Sequence, residues 1–151
     1  MSWRQFQFFE TLPIRDPSFG SEHPLYSDPS LTAVCAVTDY LVLATHNSRI
    51  QFVSQDLTPF RSFTAYEKGW TITFMRSIPN TDQFATIAER QGQPARLKLW
   101  SMSKILSRKD DKLNETTYQT LVHVKNGNNS YPITAWTSSS HFNIIGVGFA
   151  N

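Results

Sequence analysis

Three stretches of the chain repeat one arrangement of apolar and polar positions. Leu31-Thr32-Ala33-Val34, Ile72-Thr73-Phe74-Met75 and Ile133-Thr134-Ala135-Trp136 each set an aliphatic residue and a threonine before a short apolar run. A polar turn follows each, then a second apolar run: Leu41 to Ala44, Phe84 to Ala88 and Ile144 to Val147. Thr32 to Ala44 and Thr134 to Gly146 are both twelve residues apart, and Thr73 to Ala88 fifteen. The surplus falls in Pro79-Asn80-Thr81-Asp82, which is turn chemistry. A third strand is predicted at Arg49–Val53 and a fourth near Phe60 to Ala65; their counterparts are Ala95–Trp100 and Thr120–Val124.

Four short strands per unit, repeating at about 40 residues, is the pattern of propeller blades. The prediction is an all-β fold, a β-propeller of WD-repeat-like four-stranded blades, truncated after about two and a half of them. Residues 21–66 form blade one, 67–131 blade two, and 132–151 an incomplete blade three. Residues 1–20 hold an N-terminal strand, Trp3 to Phe9, with Phe6 and Phe8 alternating against Gln5 and Gln7, expected to close the last blade of the full ring. The step from Leu31 to Ile72 is 41 residues and that from Ile72 to Ile133 is 61. The excess sits in SMSKILSRKDDKLNETT, residues 101–117, read as a polar loop insertion between the third and fourth strands of blade two, with room for a helical turn. The inner strand carries Leu31, Ala33, Cys35 and Val37 on one face and Val34 and Ala36 on the other. Apolar residues on both faces predict a sheet sandwiched between neighbours, with Cys35 a small buried hydrophobe.

Composition narrows the function. Among 151 residues, 40% are hydrophobic and 17% charged, a globular balance, and eleven phenylalanines favour sheet. A net charge of +2 is too mild for a nucleic-acid surface, so no nucleic-acid partner is expected. One cysteine excludes an internal disulfide framework and a cysteine-based zinc cluster. No signal peptide or membrane-spanning run is recognised.

Catalytic chemistry is not expected. His23, His46, His123 and His141 are scattered with no ligand spacing, so no metal and no cofactor is assigned. Ser138-Ser139-Ser140-His141 lies in a predicted hairpin turn, where serine is common without any nucleophile. Asp110-Asp111 reads as solvated charge. The six glycines fit neither phosphate-binding pattern, and Gly146-Val147-Gly148 reads as small residues near a crowded axis. Trp70, Trp100 and Trp136 read as core. The candidate interaction surface is basic: Lys104, Arg108, Lys109 and Lys112, with Arg96 and Lys98 as neighbours, facing anionic lipid or an acidic partner. Asp110, Asp111 and Glu115 partly neutralise it.

Three segments carry a family resemblance: WRQFQFFETLPIRDPSFG at residues 3–20, LYSDPSL at 25–31 and KNGNNSYPI at 125–133. Together they resemble the amino terminus of the fungal vacuolar protein sorting-associated protein eleven family, a class C vacuolar sorting subunit, and the likeness runs from Trp3 to Phe149. The resemblance implies an N-terminal propeller followed by an α-solenoid and a zinc-binding RING, the region associated with ubiquitin ligase activity. It implies a non-enzymatic scaffold in the HOPS and CORVET tethering complexes, in endosome-to-vacuole transport and vesicle docking and fusion. Partners would be other class C subunits and, indirectly, Rab GTPases and SNAREs, with no small-molecule substrate. The location would be cytoplasmic, peripheral on late endosome and vacuole membranes. Neither solenoid nor RING falls in these residues, so no metal or ligase residue carries over. The alternative readings are a stand-alone peptide- or ubiquitin-binding propeller and an enzyme built on a propeller scaffold.

Overall fold

The computed structural model describes the backbone of residues 30–56, 58–107, 118–124, 133–141 and 144–149, and their side chains except at 118–124, 133–135 and 149. The fold is all-β with a single short helix among these residues. Strands β1 (Leu31–Val37), β2 (Tyr40–Thr45), β3 (Arg49–Val53) and β4 (Pro59–Thr64) form an antiparallel sheet in sequence order. A second sheet repeats that order with β5 (Thr71–Ser77), β6 (Gln83–Arg90), β7 (Gln93–Ser101) and β8 (Tyr118–Val124). Strands β9 (Ile133–Ser139) and β10 (Ile144–Phe149) make a separate antiparallel hairpin. The strands fall where the apolar runs place them, because β-branched and aromatic residues alternate there between turns rich in Asn, Asp, Ser and Gly. Among the described residues the sheets do not close into a ring.

The second sheet is apolar on both faces, and each face has its own partner. Ile72, Met75, Phe84, Ala88 and Trp100 point toward the first sheet and join Val42, Ala44, Ile50, Phe52 and Phe63 in one core. Phe74, Ile87, Ala95 and Leu97 point the other way, against Trp136, Ile145 and Val147 of the hairpin. Strand β1 lies alongside β5. At the far side of the hairpin, an added Cβ at Gly146 would meet Thr137 Cγ2 at 2.8 Å, so any larger residue there would force the Thr137 side chain to shift.

Three expectations change. The inner strand β1 is not covered on both faces: Ala36 is exposed and Val34 retains 53% of its accessible surface. Their register partners Leu41 and Leu43 form a small satellite cluster with Leu31 and Val53 on that outer face. The physical reason is that the described residues supply a facing sheet only on the other side. The segment beginning at Ser101 starts with the helical turn the sequence allows, but that turn is not solvated as a polar insertion would be. Helix α1 (Met102–Leu106) buries Met102 and Ile105 in the core between the sheets. Asp82 sets its start by accepting hydrogen bonds from Ser101 Oγ and Ser103 N, each at 3.0 Å, and Arg61 Nη1 donates to the Ile105 carbonyl near its end. Residues 108–117, like the N-terminal strand at Trp3–Phe9, lie outside the described residues.

The third change concerns Arg96 and Lys98. On β7 they share a face with Trp100, so they point into the seam between the sheets and not toward Lys104.

Candidate functional site

The seam between the first two sheets holds the densest polar and aromatic chemistry among the described residues. It is built on the connection from β4 to β5, residues Ala65 to Trp70, which crosses from one sheet to the next. Trp70 and Trp100 are fully buried, and Tyr66 is buried and stacked on Trp70 at 6.5 Å. Phe63 and Phe84 pack against Trp100 at 5.3 and 6.3 Å. An aromatic seam of this kind carries polar atoms into the core, and they need partners.

Thr86 supplies most of those partners. Its side chain is fully buried on β6. Trp100 Nε1 donates to Thr86 Oγ1 at 2.8 Å, and the Tyr66 and Thr86 hydroxyls meet at 2.7 Å. The Tyr66 hydroxyl also lies 3.1 Å from the Thr86 carbonyl and 3.4 Å from that of Arg96. One threonine therefore ties two aromatic heads and two strands together. A second tie runs through the turn from β2 to β3. Ser48, buried and in the left-handed region at φ 59°, donates its hydroxyl to the Trp70 carbonyl, and its own carbonyl accepts from Ala65 N at 2.8 Å. Thr71 Oγ1 closes the same corner by donating to the His46 carbonyl at 3.1 Å.

Two cations complete the seam. The Arg96 guanidinium lies 4.3 Å from the Trp70 ring centre and 3.5 Å from Glu67, whose side chain is largely exposed. Lys98 Nζ lies 4.4 Å from the Tyr66 ring and 5.6 Å from Trp100, and donates to the Ala65 carbonyl at 2.7 Å. Both are cation–π contacts of useful range. Burial pushes the Lys98 amine down to about 8, with the Arg96 charge adding to the shift and Glu67 opposing it. Elsewhere, burial pushes the Cys35 thiol up to about 12 and raises Glu89, while the Ser103 and Ser101 hydrogen bonds hold Asp82 below its ordinary value.

The basic surface expected at Lys104, Arg108, Lys109 and Lys112 is described only at Lys104, which is exposed on α1; the other three lie outside the described residues. Phe60 and Leu106 add exposed apolar surface, and Phe60 packs on Tyr40 at 5.1 Å. No group of three or more metal-ligating side chains converges among the described residues. Nor is any helix among them long and apolar enough to cross a membrane. The Ser138 to His141 segment closes the β9–β10 hairpin: Ser138 and Ser139 end β9, and Ser140 and His141 form the turn. The seam itself was not singled out from sequence. Its signal was present in Arg96-Leu97-Lys98-Leu99-Trp100, where cations alternate onto the same face as a tryptophan.

This arrangement fixes one sheet on the next and leaves the opposite sheet faces for contact with other structure. Its hydroxyls are engaged with carbonyls and ring N–H groups, in place of a nucleophile–base pair. Residues 3–151 match the family model described as PEP5/VPS11 N-terminal. No curated protein matches the sequence.

Proposed function

The chain belongs to the PEP5/VPS11 family through the N-terminal region of that family, and on that premise we propose that it is the propeller part of a vacuolar sorting scaffold. The proposed role is non-enzymatic. It contributes to the HOPS and CORVET tethering complexes in endosome-to-vacuole transport and vesicle docking and fusion, on the cytoplasmic surface of late endosome and vacuole. Its partners are other class C vacuolar sorting subunits, and through them Rab GTPases and SNAREs. The observation that carries this reading is the family match over residues 3–151, almost the whole chain.

The propeller reading has support from the way the sheets stack. Two four-stranded meanders face each other, their first strands β1 and β5 lie side by side, and the β9–β10 hairpin packs on the next face. Blades at 21–66 and 67–131, with a third beginning at 132, follow from extending that stack. A ring would place a further sheet on the outer face of the first, over Val34, Ala36, Leu41 and Leu43. Propellers of this kind serve as platforms, because the loops at either end of the ring are free to vary while the seams hold the frame.

Affinity capture of the full-length gene product from a fungal lysate tests the function. Class C subunits recovered in comparable amounts with the bait are the expected result. A bait recovered without them overturns the scaffold reading.

A further inference from the structure

Two register partners on the outer face of the first sheet differ widely in exposure. Val34 on β1 and Leu43 on β2 stand side by side there, yet Val34 keeps 53% of its accessible surface and Leu43 only 1%. Val53 on β3, the register partner of Leu41, keeps 0%. Neighbours in the plane of a sheet do not bury side chains that stand out from it; that takes a layer above them. The cluster around Leu43 and Val53 draws only on β1, β2 and β3. Helix α1, β5 and the Ala65 to Trp70 connection join the core on the opposite face. The cover over β2 and β3, which stops short of β1, must then come from chain outside the described residues.

Reach and pattern select the segment. Residues 108–117, 125–132 and 142–143 are connections held at both ends by α1, the second sheet or the hairpin. Residues 1–29 run directly into β1. At about 3.3 Å per residue, residues 10–29 are long enough to carry a strand to any part of that face. Within this stretch, Trp3–Phe9 sets Phe6 and Phe8 against Gln5 and Gln7, the pattern of a strand with one apolar side. We propose that Trp3–Phe9 is a strap laid on the outer face of the first sheet, with Phe6 and Phe8 turned onto Leu43 and Val53. The strap leaves Val34 and Ala36 open on β1, where the inner strands of a further sheet would pack in a ring; only that last step rests on the propeller reading.

Accessibility of position 43 in the full-length gene product tests the strap. Leu43→Cys is introduced into the parent and into a version lacking residues 1–12, and alkylation is followed by peptide mass spectrometry. Cys35, whose thiol burial holds near 12, reports in the same sample that the main core is intact. Removal of residues 1–12 is expected to speed labelling at position 43 at least about tenfold, with Cys35 still unlabelled. If the shortened protein does not fold, substitutions carry the test. Phe6→Asp with Phe8→Asp should open position 43, and Gln5→Asp with Gln7→Asp should not. Labelling at position 43 that is equally slow or equally fast with and without the segment overturns the proposal, as does an equal response to the two pairs of substitutions. Recovery of class C subunits plays no part in this readout, so a failed strap leaves the scaffold reading standing, and the reverse holds too.

Discussion

The two faces of the second sheet meet their neighbours in different ways. Toward the first sheet, Trp100 is fully buried and its Nε1–H is satisfied by Thr86, within a core that also takes in α1. Toward the hairpin, Trp136 packs tilted against Phe74 at 5.2 Å, but its Nε1 is buried with no hydrogen-bond partner. That second contact is a small cluster of Phe74, Ile87, Ala95 and Leu97 with three hairpin residues. Similar apolar patterns thus produce unequal seams, and the difference lies mainly in how much each buries, since the first seam also holds an orphaned indole N–H at Trp70. A buried tryptophan with a partnered N–H holds its seam, whereas an orphaned N–H subtracts about 1–3 kcal/mol from what the ring contributes.

Substitutions at the two tryptophans probe that inequality most directly. Trp100→Ala should destabilise the protein by about 3–5 kcal/mol in urea titration, since it empties one of the two largest sites in the main core. Trp136→Ala should cost clearly less. A larger loss at Trp136 would reverse the ranking of the seams.

Thr86→Val should come next, at about 2 kcal/mol. The shape is kept, but the indole N–H of Trp100 loses its acceptor and the Tyr66 hydroxyl loses a partner. The matching sharpening is Trp136→Phe, which removes an unpaired N–H and should cost much less than Trp100→Phe.

Lys98 gives a smaller effect with a defined pH window. Its amine titrates near 8 in the folded protein, below the 10.5 of an ordinary lysine. Between those values the unfolded chain binds more protons, so this group makes stability rise as pH increases from about 8 to about 10.5. Lys98→Met should flatten that rise and raise the melting temperature at pH 7. Half-exposure of the side chain screens the effect, which keeps it modest. An unchanged pH profile in the variant would show that Lys98 is not the group responsible. The smallest effect is chemical: Cys35, with its thiol held near 12, should resist alkylation at pH 8 until the protein unfolds.

The strands were legible from sequence because their signal is local. Arg49–Val53 and Ala95–Trp100 are short β-branched or aromatic runs between turns, and both are strands in the structure. The seam was not legible, because Tyr66, Thr86 and Trp100 come together through pairing of distant strands, which no spacing announces. The docking of the helical turn was hidden by composition. Ser101 to Leu106 is polar on average, and only Met102 and Ile105, three apart, mark the face that docks. Arg96 and Lys98 looked like surface charge because their long stems and aromatic neighbours are invisible in a count of residues. The outer face of β1 shows the opposite case: Val34 and Ala36 signal a covering partner more strongly than the described residues supply one.

That outer face offers the most direct test of the propeller scaffold. Val34→Asp, introduced in the full-length gene product, should lower its melting temperature sharply and reduce recovery of class C subunits, because a ring would bury this side chain under a further sheet. A variant that melts and assembles like the parent would show that the face is open to solvent, and would contradict the ring.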